Sequence, residues 1–282
     1  MNKLMMIAVI AGMLVLTITG SSQDISYTGG SEYYVDSLYS ESLGEFRKHN
    51  VYLPDSFDAQ KNYPIIYATD GERSTDNSFI KAMLDSLISN EIIEPVIYIG
   101  SHSNDKVVGG ATGQGEGGST FAMQYRNFEY VDNDKHMADM PDLKDRFKDH
   151  MKYFTDELIP SVEETLNQDP GPENRIFYGF SNGAGFGANL LNRHPSLIGT
   201  YICYSTLGSG VADNEWSADI RFPDLYLKYG DQEAEVFRQE AEALVQKYEE
   251  SGSFYEMEVF NGGHDDQIWN KKLPETLMKI LD

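Results

Sequence analysis

Cysteine is all but absent: Cys203 stands alone among 282 residues, so no intramolecular disulfide can form and stability has to come from a packed core. Cys203 lies inside the apolar run Thr200-Tyr201-Ile202-Cys203-Tyr204, which predicts a buried strand residue and argues against a reactive thiol. Basic residues are also scarce, 22 Lys and Arg against 45 Asp and Glu, for a formal charge of −23. So acidic a surface repels phosphate backbones and anionic lipid, which excludes nucleic acid and a peripheral membrane surface as expected partners. The same field weighs mildly against strongly anionic substrates.

Long apolar runs are lacking as well, with one exception. Leu4 to Ile18 is almost wholly apolar, Lys3 precedes it, and the small residues Thr19-Gly20-Ser21-Ser22 follow. This is the pattern of a signal peptide over residues 1–22, leaving 23–282 as an exported, periplasmic or secreted chain. The run is short for a bilayer span and no Lys/Arg stop signal follows, so no membrane attachment is expected after cleavage. With no Cys at the cut, lipoprotein attachment is not expected either.

What the chain does have is 40% apolar residues and a length that suits one α/β domain. Residues 31–53 carry two apolar-rich runs parted by Gly44, an expected antiparallel pair. Tyr63–Ala68, Pro95–Gly100, Arg175–Phe180, 199–204, 224–229 and Phe254–Phe260 read as strands, several of them continuously apolar. Between them fall helical patterns. One carries Ile80, Met83, Leu84 and Leu87 behind the capping candidates Thr75 and Asp76, and another carries Phe147, Met151, Phe154 and Leu158 until Pro160 ends or kinks it. A helix is expected from about Gln232 to Glu249, and a closing one carries Trp269, Leu273, Leu277 and Ile280. Strand–helix alternation of this kind predicts a mostly parallel central sheet flanked by helices on both faces. Residues 101–140, crowded with glycine, break the alternation and read as a long loop over the sheet that shapes a cleft. They lack the Lys-Ser/Thr of a phosphate-binding loop.

Gly179-Phe180-Ser181-Asn182-Gly183 fits G-x-S-x-G at the point where an apolar strand stops and a small-residue helix begins. A sharp strand-to-helix turn there needs small neighbours two residues before and after the serine. It also sets Ser181 at a helix N-terminus, where a developing oxyanion is favoured. A hydroxyl needs a base to become a nucleophile. Of six histidines, His49, His102, His136, His150 and His194 fall on the first strands, the excursion or helices. Only His264 follows the second half of the sheet, in Gly262-Gly263-His264-Asp265-Asp266, and no second His or Cys stands at metal-ligand spacing beside it. The acid that orients it belongs after the strand ending at Tyr229, where Gly230-Asp231-Gln232-Glu233 offers either Asp231 or Glu233.

Taken in order, Ser40–Glu45, Val51-Tyr52-Leu53-Pro54, Tyr63–Tyr67, Asp70-Gly71, Glu157-Leu158-Ile159-Pro160, Gly179–Gly183 and Gly262–Asp265 resemble the α/β-hydrolase esterase family that includes feruloyl esterases, esterase D and ferric-siderophore esterases. The mycolyltransferases are more distant relatives. The resemblance, spanning roughly 35–281, implies a serine esterase without a cofactor. It implies Glu233 as the acid, three residues after the strand-ending Gly, and Asp231 as its reserve. It implies an oxyanion hole from the backbone N–H groups of Glu72 and Asn182. Arg126–Tyr130 resembles the family's Arg-x-x-Asp/Glu segment, read either as shaping the site or as an Arg126–Glu129 pair anchoring the excursion. The expected substrate is a small-molecule or carbohydrate ester, an acyl or feruloyl ester of a carbohydrate foremost. The alternatives are a siderophore trilactone, acyl transfer to a sugar, or an inactive carbohydrate-binding homologue.

Overall fold

The chain enters its sheet through an antiparallel pair, β1 (Glu32–Ser40) and β2 (Glu45–Leu53), in unbroken register from Glu32 opposite Leu53 to Ser40 opposite Glu45. The structure, a computed structural model, describes residues 30–74, 79–114, 120–132, 143–208, 210 and 214–282. The segment read as a signal peptide, the capping residues Thr75 and Asp76, and His136 lie outside the described residues.

β3 (Ile65–Ala68) and β4 (Ile97–Ser101) are buried along their whole length. β7 (Arg175–Phe180), β8 (Thr200–Tyr204), β9 (Asp224–Gly230) and β10 (Tyr255–Phe260) complete the main sheet. Among the described residues the order is β1-β2-β4-β3-β7-β8-β9-β10, antiparallel at β1/β2 and β2/β4 and parallel from β4 onward.

Alternate residues of the inner strands feed two cores. Ile65 and Tyr67, Phe177, and Tyr201 and Cys203 face one side; Ile66 and Ala68, Tyr178, and Ile202 and Tyr204 face the other. That is why these strands read as continuous apolar runs: neither face meets water. α1 (Phe79–Ser89) and α7 (Asp266–Ile280) cover the second face. The first is covered by α3 (Arg146–Lys152), α4 (Ile159–Leu166), α5 (Asn182–Arg193) and α6 (Glu235–Ser251). Cys203 is fully buried in β8, as its apolar surroundings predict.

One expectation is narrowed and another corrected. Of an end or a kink at Pro160, the helix does not end there. A π-helical turn over Tyr153–Leu158 joins α3 to α4, and the Ile159 N–H bonds Phe154 O, five residues back. Widening the ladder just ahead of Pro160 accommodates a residue with no N–H and a bulky ring. The excursion after β4 is not a bare loop either. It holds a hairpin, β5 (Val107–Gln114) and β6 (Thr120–Gln124), with a register shift between Val107 and Thr112, and then α2 (Tyr125–Tyr130). Ala111, Phe128 and Leu143 give it a small core of its own.

From β4 the chain crosses through α2, α3 and α4 to the opposite side of β3, where β7 pairs with it. The order of strands therefore reverses at β3 and β7, and a crevice opens at their carboxyl ends. Thr69–Glu72 and Ser181 follow those two strands directly.

Candidate active site

β7 ends at Phe180 and α5 begins at Asn182, so one residue, Ser181, makes the whole turn, at φ 55° and ψ −129°. A non-glycine residue in that region costs on the order of 1–3 kcal/mol and persists only where its surroundings hold it. Here they do: Ser181 N–H bonds Tyr204 O at 2.9 Å, and Ser181 O accepts from Gly185 N–H at 3.0 Å and Leu207 N–H at 3.3 Å. The flanking glycines are sterically required. A Cβ on Gly179 would lie 2.8 Å from the Gly183 backbone, and one on Gly183 would lie 2.2 Å from Thr69 Oγ1.

His264 sits in the loop from β10 to α7, and Asp265 caps α7 by accepting from Gln267 N–H at 2.8 Å. Phe237 of α6 lies over the imidazole at 4.5 Å between centroids, and Trp269 meets it edge-on at 4.7 Å. Trp269 in turn stacks on Phe180 at 4.8 Å and donates its indole N–H to Ser205 Oγ at 2.9 Å. The aromatic wall thus ties His264 to the strand that precedes Ser181.

His264 Nε2 lies 3.0 Å from Ser181 Oγ, and Nδ1 lies 2.8 Å from Glu233 Oε1. Glu233's second oxygen accepts Gly230 N–H at 3.0 Å. The Glu233 side chain is 1% exposed and that of His264 26%. An acceptor at Nδ1 places the ring proton there and leaves the Nε2 lone pair facing the hydroxyl. Asp231, the other carboxylate in that loop, accepts Gly262 N–H at 3.0 Å and so fastens the histidine loop without touching the imidazole. α6 begins at Glu235, not near Gln232, because residues 230–234 form this carboxylate-bearing turn.

The remaining histidines stand elsewhere. His150 is buried among Tyr130, Tyr153 and Phe186, and burial pushes its pKa down to about 3. His102, held to about 4 by burial and by nearby Lys48, donates from Nε2 to Asn50 Oδ1 at 2.7 Å. Asn50 Nδ2 then bonds Gly71 O at 2.6 Å, a support for the turn after β3 that no local pattern announced. Among the described residues no three His, Cys, Asp or Glu side chains gather as a metal site.

Glu72 lies in the 3₁₀ turn Gly71–Ser74, its carboxylate turned to Ser103, whose N–H and hydroxyl it accepts at 2.8 and 2.5 Å. Asn182 Nδ2 donates to Leu207 O at 3.2 Å. The anchoring pair expected within Arg126–Tyr130 does not form. Arg126 binds Asp70 bidentately, Nε to Oδ1 at 2.5 Å and Nη2 to Oδ2 at 2.9 Å. Glu129 takes two other arginines, Arg47 at 2.8 and 3.0 Å and Arg146 at 2.9 Å. Burial alone would raise the Glu129 carboxyl, but these cations hold it down to about 2. The two residues on α2 face different neighbours, which leaves the other reading of the segment, a part in shaping the site.

Sheet order, elbow and crevice define an α/β-hydrolase. A family model described as "Putative esterase" matches residues 40–280, and the chain belongs to that family of carboxylic ester hydrolases. The chain is 23% identical over 255 residues to the uncharacterized protein YjcH of Bacillus subtilis (strain 168), covering 86% of this chain and 95% of that one. Its fold is similar to that of a ferulic acid esterase (TM-score 0.69, 19% identity, 90% of this chain and 99% of the other). It is similar also to the enterobactin esterase FES from Shigella flexneri (TM-score 0.67, 18% identity, 88% of this chain), of which it spans 58%.

Proposed function

We propose that this enzyme is a serine esterase whose nucleophile is Ser181, with His264 as its base and Glu233 as the acid that orients the imidazole. The observation that carries the reading is the continuous hydrogen-bond path from Glu233 through His264 to Ser181, at 2.8 and 3.0 Å. His264 Nε2 takes the hydroxyl proton as Ser181 Oγ bonds the ester carbonyl carbon. The carbonyl electrons move to an oxyanion received by the Glu72 and Asn182 amides. As the carbonyl re-forms, the ester C–O bond breaks, the imidazolium protonates the departing alcohol, and acyl-Ser181 remains. Water then repeats the sequence with the same base and releases the carboxylic acid. No cofactor enters any step.

The substrate we favour is a neutral acyl or feruloyl ester of a carbohydrate. The excess of acidic residues supports it, as does similarity to a ferulic acid esterase over 99% of that chain. We read residues 1–22 as a signal peptide and the mature enzyme as exported; among the described residues no helix is long and apolar enough to cross a membrane. The likeness to enterobactin esterase keeps one rival, a catecholate trilactone.

Three experiments decide. A fluorophosphonate probe should label wild type and not Ser181→Ala; no labelling of either would replace the esterase by an inactive, carbohydrate-binding homologue. Feruloylated and acetylated oligosaccharides should be turned over faster than a catecholate trilactone, and the reverse order overturns the substrate assignment. Added sugar acceptors should yield no new ester; if they do, acyl transfer is the reaction.

A further inference from the structure

The roles given to Ser181 and His264 leave unexplained why a nearly buried guanidinium stands between the two segments that carry the oxyanion amides. Arg126 is 56 residues from Asp70 and 56 from Asn182, and it touches both. Nε and Nη2 grip the two Asp70 oxygens, while the remaining Nη1 donates to Asn182 Oδ1 at 3.3 Å. Asp70 precedes Glu72 by two residues, sits at φ 57°, and donates its N–H to Tyr130 OH at 3.4 Å. Tyr130 lies on the same helix as Arg126, whose guanidinium carbon is 4.9 Å from the Tyr130 ring centroid. The Asp70 side chain is 0% exposed and that of Arg126 11%, so water competes little for these bonds.

We propose that Arg126 is a positioning residue that fixes the Glu72 and Asn182 amides relative to each other, and so builds the oxyanion hole from the excursion side. One planar group reaches both turns at once, and stabilisation of a developing oxyanion depends on donors set in place beforehand. The inference rests on the esterase reading above. It predicts that the hole is an assembly of three segments, β3–turn, β7–elbow and α2, and not a property of the first two alone.

Arg126→Ala would leave a buried carboxylate unpaired and endanger the fold. Arg126→Lys keeps the charge beside Asp70, but a single ammonium cannot grip both carboxylate oxygens and Asn182 together. Arg126→Gln combined with Asp70→Asn removes both charges and serves as the second variant. Each is compared with wild type on a nitrophenyl ester, with rates normalised to sites titrated by a fluorophosphonate, and thermal melts are run alongside. For Arg126→Lys, kcat should fall on the order of 10- to 100-fold with KM within about twofold. Affinity for a trifluoromethyl ketone, whose adduct carries the oxyanion, should fall in step with kcat, while the pH midpoint of kcat/KM stays put. The double variant should lose kcat similarly. Wild-type kcat in Arg126→Lys, or a loss that disappears on normalisation to titrated sites, overturns the inference. A wild type inert to fluorophosphonate refutes the esterase reading and this one together, whereas an active wild type beside an unaffected Arg126→Lys refutes only the positioning role.

Discussion

Glu233→Gln is the substitution whose outcome the geometry constrains most tightly. Glu233 spends one oxygen on Gly230 N–H at 3.0 Å and the other on His264 Nδ1 at 2.8 Å. A glutamine in the same rotamer has one acceptor and one donor end. Because Gly230 N–H can only donate, the amide oxygen turns to it and the NH₂ faces Nδ1. The imidazole must then accept at Nδ1 and carry its proton on Nε2, pointing at a hydroxyl whose proton it should be taking. The loss expected is that of a triad locked in the wrong tautomer, about 10⁴-fold in kcat, or on the order of 5 kcal/mol of transition-state stabilisation. KM should change little, since the change acts on the tautomer that serves the chemical step. Asp231→Asn is the control. Its carboxylate accepts Gly262 N–H and lies 3.5 Å from Asn261 Nδ2, so an amide retains the first contact. Its kcat should fall by less than about tenfold. Steady-state kinetics on a nitrophenyl ester, with folded enzyme quantified by near-UV circular dichroism, reads both. If Asp231→Asn proves the more damaging, the tautomer argument is wrong.

Two further outcomes follow from the same contacts. Gly183→Ala puts a methyl 2.2 Å from Thr69 Oγ1 and 2.9 Å from Asp70 Oδ2, so it should destabilise by about 1–3 kcal/mol and reduce kcat at least tenfold; an unchanged kcat would show that the elbow tolerates widening. His150 is held neutral by burial, at about 3 against 6.5 when unfolded, with Glu129 opposing the shift and Arg47 and Arg146 reinforcing it. The unfolded chain therefore binds the extra proton between those values, and stability drops as pH falls from 6.5 toward 3. His150→Phe should flatten the dependence of unfolding free energy on pH between 6 and 4 by about 1.4 kcal/mol per pH unit, measured by urea titration. Parallel slopes for the two proteins would refute it.

What could be read ahead of the structure was whatever physics repeats along the chain. β3, β4, β7 and β8 announced themselves because two covered faces leave no room for polar alternation. The elbow was legible because crowding around Ser181 leaves glycine at both flanks. What stayed hidden depended on contacts between distant segments. Asp231 and Glu233 leave the same strand, and their division of labour is set by which one meets the histidine loop's backbone and which its ring. The β5–β6 hairpin was missed because Gly109, Gly110 and Gly113 weaken every strand signal in it, while its pairing with Thr120–Gln124 supplies the order that propensity does not. Pro160 left an end and a kink both open, because the π turn that absorbs it is a backbone adjustment without a composition of its own.

The buried arginines tie the excursion down alongside apolar packing, since Tyr130 of α2 is itself buried in the main core against Phe186. Among the described residues the excursion's own core is Ala111, Phe128 and Leu143, with Val108, Met123 and Tyr125 packed against them. Apolar packing is non-directional, whereas an oxyanion hole needs its donors held within about half an ångström. Bidentate arginine–carboxylate pairs have a fixed plane and a fixed distance. Glu129 of α2 grips Arg47 of β2 and Arg146 of α3, and Arg126 of α2 grips the turn after β3, so one short helix is clamped at several points. Buried pairs of this kind add little net stability compared with well-packed apolar residues. Committing three arginines to them, in a chain with 22 basic residues against 45 acidic ones, therefore makes sense as positioning and not as stabilisation. On that view replacing the Arg47–Glu129–Arg146 cluster with apolar residues of matched volume would leave the melting temperature near wild type while lowering kcat, the opposite of what a purely structural cluster would do.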